Sequence, residues 1–174
     1  HDALPISYQL TAPPLGERWF AILIDNEQVG FYRQLTTSLP EGGYRIEGDS
    51  SVRMKVMGFT KESSSREIYQ VGPNLALKTV EVEQTINGSK SILSGRMIPG
   101  GLQIRRDANG KSSVKTLKAR SELFPGPTLN LLPLFKGTAT GKTLRVFSFD
   151  PEEMAVKEVK ISVLGEEKTP EGQP

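Results

Sequence analysis

The sequence feature that most constrains the fold is a strict alternation of apolar or small residues with polar residues over Tyr44–Val56. Successive side chains of a β-strand point to opposite faces, so the pattern puts one set on an apolar face and the other on a polar face. A helix would spread both sets around its circumference. The pattern therefore predicts a long strand with one face in water. The apolar or small set is Tyr44, Ile46, Gly48, Ser50, Val52, Met54 and Val56.

Similar strand-like segments follow one another as far as residue 118. Residues 18–24 are apolar at almost every position, which predicts a central strand covered on both faces. Asn87-Gly88 separates two alternating segments and is typical of a type I′ hairpin turn, because both residues tolerate a positive φ. Asn109-Gly110 is expected to close a later hairpin. All connections in this region are short enough for hairpins. We therefore expect an antiparallel meander.

The pattern changes after residue 124. Residues 129–135 are rich in leucine, Thr128 precedes them and Pro133 interrupts them, which predicts a helix of one or two turns capped by Thr128. Two more strands are expected at residues 143–149 and 155–164. The predicted fold class is therefore all-β: a strongly curved antiparallel meander sheet with one short helical plug over one end.

The two ends of the chain differ from the region between them. Residues 1–6 match the translated end of a widely used sequencing adapter, so we expect that they do not belong to the gene. Residues 7–165 are expected to form a single β domain. Residues 166–174 are a polar tail rich in Gly and Pro, which we expect to precede further strands in the natural protein.

The composition argues against several kinds of chemistry. The chain has no cysteine, and its one histidine, His1, lies in the adapter-like segment. Thiolate nucleophiles, imidazole bases and the soft metal ligands are therefore missing, which predicts no catalytic, cofactor or metal site in this segment. A net charge of +2 with both signs interspersed predicts neither a nucleic-acid partner nor a membrane-surface partner. No apolar run approaches the roughly 20 residues of a membrane span.

One short motif has a superficial likeness to a phosphate-binding loop. Gly137 is separated by three residues from Gly141-Lys142-Thr143, whereas that motif needs four intervening residues and a helix after it. Here Lys136 stands at the required glycine and a strand-like segment follows. We interpret the segment as a turn.

Several large apolar side chains are expected to lie near one another in such a sheet. Core packing explains them most simply, and a groove for an apolar ligand is the alternative. If a contact surface exists, we expect it to consist of Trp19, Phe31, Tyr44, Ile46 and Met54.

Three segments carry a resemblance to a known family. Residues 17–31 contain Arg-Trp-Phe-Ala-Ile followed by Asp-Asn-Glu-Gln-Val-Gly-Phe, residues 43–47 are Gly-Tyr-Arg-Ile-Glu, and residues 53–58 are Arg-Met-Lys-Val-Met-Gly. Together with the later Phe-Asp-Pro turn at residues 149–151 they resemble the β-rich N-terminal region of exported bacterial transglutaminase-like proteins, and related periplasmic β domains of unknown function. The resemblance covers about residues 17–165.

The resemblance implies a location, a fold and a role. It implies the periplasm or cell envelope of a bacterium, and a half-barrel similar to periplasmic lipoprotein carriers. Family members use a Cys-His-Asp triad in a separate downstream domain, and nothing in this chain matches it. The leading hypothesis is therefore a non-catalytic accessory domain that positions substrate for such an enzyme. The alternatives are a free-standing periplasmic carrier of an acyl or other apolar ligand, and a structural spacer.

The accessory hypothesis makes a prediction about the parent gene. Its reading frame should continue downstream into a domain that contains cysteine and histidine. Sequencing the complete gene tests this expectation, and a stop codon just after residue 174 would contradict it.

Overall fold

The computed structural model describes residues 9–164, and this part of the chain is almost entirely β-structure. The adapter-like residues 1–6 and the tail at residues 166–174 lie outside the described residues. The strands are β1 (Gly16–Ile24), β2 (Glu27–Ser38), β3 (Tyr44–Val56), β4 (Phe59–Val71), β5 (Leu77–Ile86), β6 (Ser89–Ile98), β7 (Gly101–Ala108), β8 (Lys111–Lys118), β9 (Leu123–Pro125), β10 (Thr143–Asp150) and β11 (Ala155–Ser162).

The first eight strands form one sheet, which we call the large sheet. Its spatial order is the chain order from β1 to β8, and every neighbouring pair is antiparallel. The predicted all-β class and antiparallel meander are therefore confirmed. The half-barrel curvature stays a prediction.

The hairpin turns have the predicted backbone. Asn87 and Gly88 have φ values of 47° and 84°, and Asn109 and Gly110 have 53° and 73°. Two successive positive φ angles define the turn whose twist matches that of the flanking strands. These turns keep successive strands adjacent, so local chemistry accounts for the order of the sheet.

The position predicted for residues 18–24 is wrong. They belong to β1, which forms one edge of the large sheet and pairs only with β2 among the described residues. Most of its side chains are exposed, including those of Trp19 and Phe20. An apolar run does not distinguish a strand buried on two faces from an edge strand whose apolar groups remain uncovered.

The large sheet buries only one of its two sides. Paired residues of adjacent strands share a side, and the row that contains Ile46, Tyr69, Val80 and Ile104 is buried. We call this the core-facing side and the opposite one the outer side. Burial is concentrated at the ends of the strands near Tyr44, whereas the ends near Val56 are exposed.

A second sheet completes the core, and it was not predicted. Its order is β11-β10-β9, with β9 parallel to β10. The strands β10 and β11 confirm two predicted segments, but β9 has only three residues, one of them a proline, and so gave no recognisable pattern. Val146, Phe149 and Leu123 of this sheet are buried in the same core as Ile46.

The predicted helix is present as a single turn, but it begins later than expected. A 3-10 turn covers Gly126–Thr128 and helix α1 covers Leu132–Phe135. The Thr128 hydroxyl does not cap α1, because it donates to the carbonyl oxygen of Pro125 at 2.7 Å. Leu132 is completely buried in the core. Within residues 9–164, neither helical segment has the length and apolar character needed to cross a membrane.

An ion-pair cluster around Glu47 joins four strands on the outer side. The Glu47 carboxylate accepts hydrogen bonds from Arg33 at 2.8 Å, Arg45 at 3.1 Å and Arg66 at 2.6 Å. Arg33 also donates to Glu17 of β1 at 2.8 Å and to Asp49 at 3.1 Å. Opposite charges in neighbouring strands favour this register. The cluster therefore ties β1, β2, β3 and β4 together on the side without an apolar cover.

The protonation of Glu47 follows from its surroundings. Its side chain is only 7% exposed. Burial by itself raises the pKa of Glu47, but hydrogen bonds from Arg33, Arg66 and Arg45 lower the pKa to about 2. The charged form is thus favoured in the folded state, and charge-assisted hydrogen bonds are the stronger kind.

Replacing this carboxylate should destabilise the protein. For Glu47→Gln we expect a loss of about 2 kcal/mol in the free energy of unfolding at pH 7, since three guanidinium groups lose their shared anion. The folded pKa lies below the ordinary value of 4.5. The wild type therefore has the higher free energy of unfolding above pH 4.5, and this difference disappears as the pH falls to about 2. Urea denaturation across this pH range measures it.

The matched control is Glu62→Gln, which alters an exposed pair with Arg53 at 3.3 Å. Exposed pairs contribute little, so the expected change is under about 0.5 kcal/mol. Equal effects of the two substitutions at pH 7 would contradict a special role for Glu47.

Candidate functional site

Two of the residues predicted to form a contact surface lie on the outer side of the large sheet. Trp19 is paired with Arg33, and Phe31 is paired with Ser51. Their ring centroids are 5.5 Å apart, and the side chains are 58% and 42% exposed. The Trp19 indole N–H donates to the Glu17 carboxylate at 2.6 Å. These two residues therefore form an exposed aromatic pair beside the ion-pair cluster.

The other three predicted residues lie on the core-facing side. Ile46 is 2% exposed and belongs to the core, and Tyr44 packs against that core. Met54 is half-buried four rows further along β3. The structure thus divides the predicted surface between two sides. Alternation along each strand is the reason, because the register places Phe31 opposite an odd-numbered residue of β3, whereas Tyr44, Ile46 and Met54 are even-numbered.

A cleft on the core-facing side is the strongest candidate site. It lies between strands β1 to β4 of the large sheet and the segment that carries the 3-10 turn, and its volume is about 560 Å³. Cavities of roughly 300–1,000 Å³ with a mainly apolar lining are typical of small-molecule sites. Its apolar lining includes Pro13, Phe20, Ile46, Pro127, Leu129 and Leu131, and its polar lining consists of Arg18, Tyr32, Gln34, Thr36, Glu67 and Asn130.

Glu67 is the carboxylate of this cleft. It accepts a hydrogen bond from the Tyr69 hydroxyl at 2.7 Å. Burial raises the pKa of Glu67, the bond from Tyr69 lowers it, and the charges of Glu152 and Asp150 raise it further, so that the net shift is upward. Desolvation therefore favours a carboxyl group that can be protonated more readily than an exposed one. A simple structural explanation, a partly buried acid that accepts a hydrogen bond from a tyrosine, accounts for these contacts.

Gly48 makes room for Tyr32 in the same cleft. A Cβ atom on Gly48 would lie 2.8 Å from the Tyr32 hydroxyl oxygen and 3.1 Å from a ring carbon, closer than side chains normally approach. Gly48 stands between Gln34 and Glu67 in one row of paired residues. The missing side chain thus lets the Tyr32 ring lie across β3. Burial raises the pKa of the Tyr32 hydroxyl, and the charges of Glu67 and Asp49 raise it further. The hydroxyl therefore remains a neutral hydrogen-bonding group.

The polar side chains of the cleft are suited to binding a ligand by hydrogen bonds. Neutral hydroxyls from Tyr32 and Thr36, the Gln34 amide and the Arg18 guanidinium can orient a ligand by hydrogen bonds. Within residues 9–164, no three His, Cys, Asp or Glu side chains are grouped so that they could hold a metal ion.

Sequence reasoning selected Ile46 of this cleft and missed the other lining residues. One sequence signal pointed to Glu67. Alternation along β4 puts Glu67 on the same side as Tyr69 and Val71, which places a charge among the residues of the buried side. Phe20 and Tyr32 belong to the same aromatic-rich strands as Trp19 and Phe31, but only the register shows which pair faces the core. The residues after Pro125 reach the cleft through tertiary packing.

Comparisons with known proteins do not show a family for this chain. No family model matches it, and no curated protein matches it. Among solved structures, it is similar to a DUF1089 family protein from Pseudomonas aeruginosa, with a TM-score of 0.44 and 12% sequence identity. The similarity covers 94% of this chain and 80% of the other.

The packing of Tyr32 on Gly48 can be tested by a double-mutant cycle. Gly48→Ala should reduce the free energy of unfolding by about 1–3 kcal/mol, because the added methyl group collides with the Tyr32 ring. In a Tyr32→Ala background the same substitution should cost distinctly less. Urea denaturation of the four proteins measures the coupling.

The control for the added methyl group is Gly126→Ala, whose Cβ would meet no heavy atom within 4 Å. It should leave the stability nearly unchanged. A Gly48→Ala cost that is the same in both backgrounds would refute the contact.

Proposed function

We propose that this chain is a non-catalytic binding domain that holds an apolar or amphipathic ligand, such as an acyl chain, in the cleft beside Tyr32. The cleft itself, about 560 Å³ in volume and lined by apolar and polar side chains in similar measure, is the observation that carries the proposal. The ligand would enter between β1 and the segment after Pro125. Of the functions considered from the sequence, the carrier role fits this geometry best.

The apolar lining supplies the driving force. Phe20 remains 48% exposed on the core-facing side of the edge strand, with its ring centroid 6.0 Å from that of Tyr32. Leu129 and Leu131 line the opposite wall and are only half-buried. Covering these surfaces with a ligand would remove apolar area from water, at about 25 cal/mol per Å².

The apolar character continues along the large sheet beyond the cleft. Ile22, Val52 and Ile86 share one row on the core-facing side, and Met54 follows Val52 on the same side. Gly30 stands between Ile22 and Val52 in the same row, where a Cβ atom would collide with the Ser51 carbonyl oxygen. A strip of this kind favours an elongated ligand over a compact one.

The polar groups at the cleft favour a ligand with a polar end. Arg18 lines the cleft and forms no ion pair with any residue in the described part of the chain. Its guanidinium group suits a carboxylate or another anionic headgroup. Gln34 and Tyr32 offer further hydrogen bonds. We therefore expect an acyl chain with an anionic or strongly polar headgroup.

A matched pair of phenylalanines tests the proposal. Dansyl-labelled undecanoic acid serves as the probe, and its fluorescence increases when the dansyl group leaves water. Phe20→Ala should raise the Kd for the probe about tenfold, which corresponds to ~1.4 kcal/mol. Phe31→Ala should leave the Kd unchanged, since Phe31 lies on the outer side with a similar exposure of 42%.

Circular dichroism and urea denaturation of both variants establish that each remains folded. No saturable binding of the probe to the wild type, or equal losses in the two variants, would overturn the proposal.

The accessory role beside a transglutaminase-like enzyme is the second candidate. The exposed pair of Trp19 and Phe31 favours it, because aromatic residues are enriched in protein–protein interfaces. Its decisive test remains the reading frame of the parent gene. The periplasmic location likewise stays a prediction.

A further inference from the structure

The hairpin formed by β3 and β4 projects from the large sheet. Pairing of β3 with β2 stops at Val52, and pairing of β4 with β5 stops at Ser63. Asn87 still contacts the backbone of Glu62. From there to the turn the two strands pair only with each other, and three residues of strand extend about 10 Å. The turn thus extends beyond the last row that β3 shares with β2.

The tip of this hairpin is apolar. Met57 is 93% exposed, Phe59 is 79% exposed and Val56 is nearly half exposed. Met57 and Gly58 form the two-residue turn, with φ values of 51° and 83°. Asn or Asp normally occupies the first position of such a turn, because a positive φ is unfavourable for most side chains. Met57 therefore holds an unfavourable backbone conformation without burying its side chain in this chain.

Basic residues surround the apolar tip. Residues 53–62 contain Arg53, Lys55 and Lys61 against a single acidic residue, Glu62. Arg53 pairs with Glu62, whereas Lys55 and Lys61 form no ion pair with the residues described. The nearly balanced charge of the whole chain, which argued against a membrane-surface partner, conceals this local excess.

We propose that Val56, Met57 and Phe59 insert into the surface of an anionic lipid bilayer while Lys55 and Lys61 contact the lipid headgroups. An apolar tip with a basic collar is the combination that binds peripheral proteins to such surfaces. A folded protein partner is a poorer fit, because stable interfaces bury about 1,200–2,000 Å² and the end of a two-stranded ribbon offers far less.

The neighbouring β1–β2 turn limits the geometry of this contact. It exposes Leu23 and Ile24 but also carries Asp25 and Glu27. These carboxylates would be repelled by an anionic surface, so the β3–β4 tip is the part that enters it. The inference does not depend on the proposed ligand in the cleft, which involves different residues.

Cosedimentation with vesicles tests the proposal on the full chain. We expect binding to vesicles of phosphatidylcholine mixed with phosphatidylglycerol, and much weaker binding to phosphatidylcholine alone. The double variant Met57→Ser, Phe59→Ser should lower the partition coefficient about tenfold or more. Lys55→Glu, Lys61→Glu should remove the preference for anionic vesicles, and salt near 1 M should do the same in the wild type.

The matched control is Val114→Ser on β8, because Val114 is 63% exposed at the opposite edge of the large sheet. It should bind vesicles like the wild type. A second measurement uses Trp19→Phe combined with Phe59→Trp, which moves the single tryptophan of the chain to the tip. Its emission should shift to the blue on binding and be quenched by brominated lipids.

Three results would overturn the proposal. They are an absence of vesicle binding by the wild type, binding that is unchanged in the Met57/Phe59 double variant, and tip tryptophan emission that does not respond to vesicles. Sedimentation velocity adds a fourth: self-association that depends on Met57 and Phe59 without vesicle binding would assign the tip to a contact between copies of the chain.

Discussion

The large sheet buries only one of its two sides, and the rest of the structure depends on that asymmetry. The second sheet, formed by β9, β10 and β11, and helix α1 cover the core-facing side near Ile46 and Tyr69, but not the strand ends near Val56. A sheet that is covered along part of its length leaves apolar groups at the boundary of the cover. The cleft lies at that boundary, and the projecting hairpin lies beyond it.

The outer side is stabilised by charge. Glu47 is buried beneath the arginines that bind it, and the cluster spans the strands nearest the uncovered edge. Charged pairs between strands contribute to register without requiring a second layer. Phe20 of β1 and Tyr32 of β2 lie on the opposite, core-facing side and line the cleft. Trp19 and Phe31 stay exposed on the outer side.

Much of the architecture could be predicted from short-range pattern. Alternation predicted β3, and the Asn-Gly turns predicted the hairpins on either side of β6 and β7. Prediction was wrong where position in the sheet mattered, since residues 18–24 form an edge strand and not a central one. The members of the predicted contact surface were chosen by residue type and expected proximity. The register of β2 against β3 instead places Phe31 and Met54 on opposite sides of the sheet.

The sequence by itself determined the order of β1 to β8 and the polar and apolar faces of β3, because these depend on alternation and turn chemistry within a few residues. Only the tertiary structure decided which strands stay uncovered, where the short β9 pairs with β10, and which side chains meet across the cleft. The contact of Tyr32 with Gly48 follows from the register of β2 against β3, and Glu67 is partly buried in the cleft between the large sheet and the segment after Pro125. Such packing depends on the summed fit of many side chains, which no local pattern specifies.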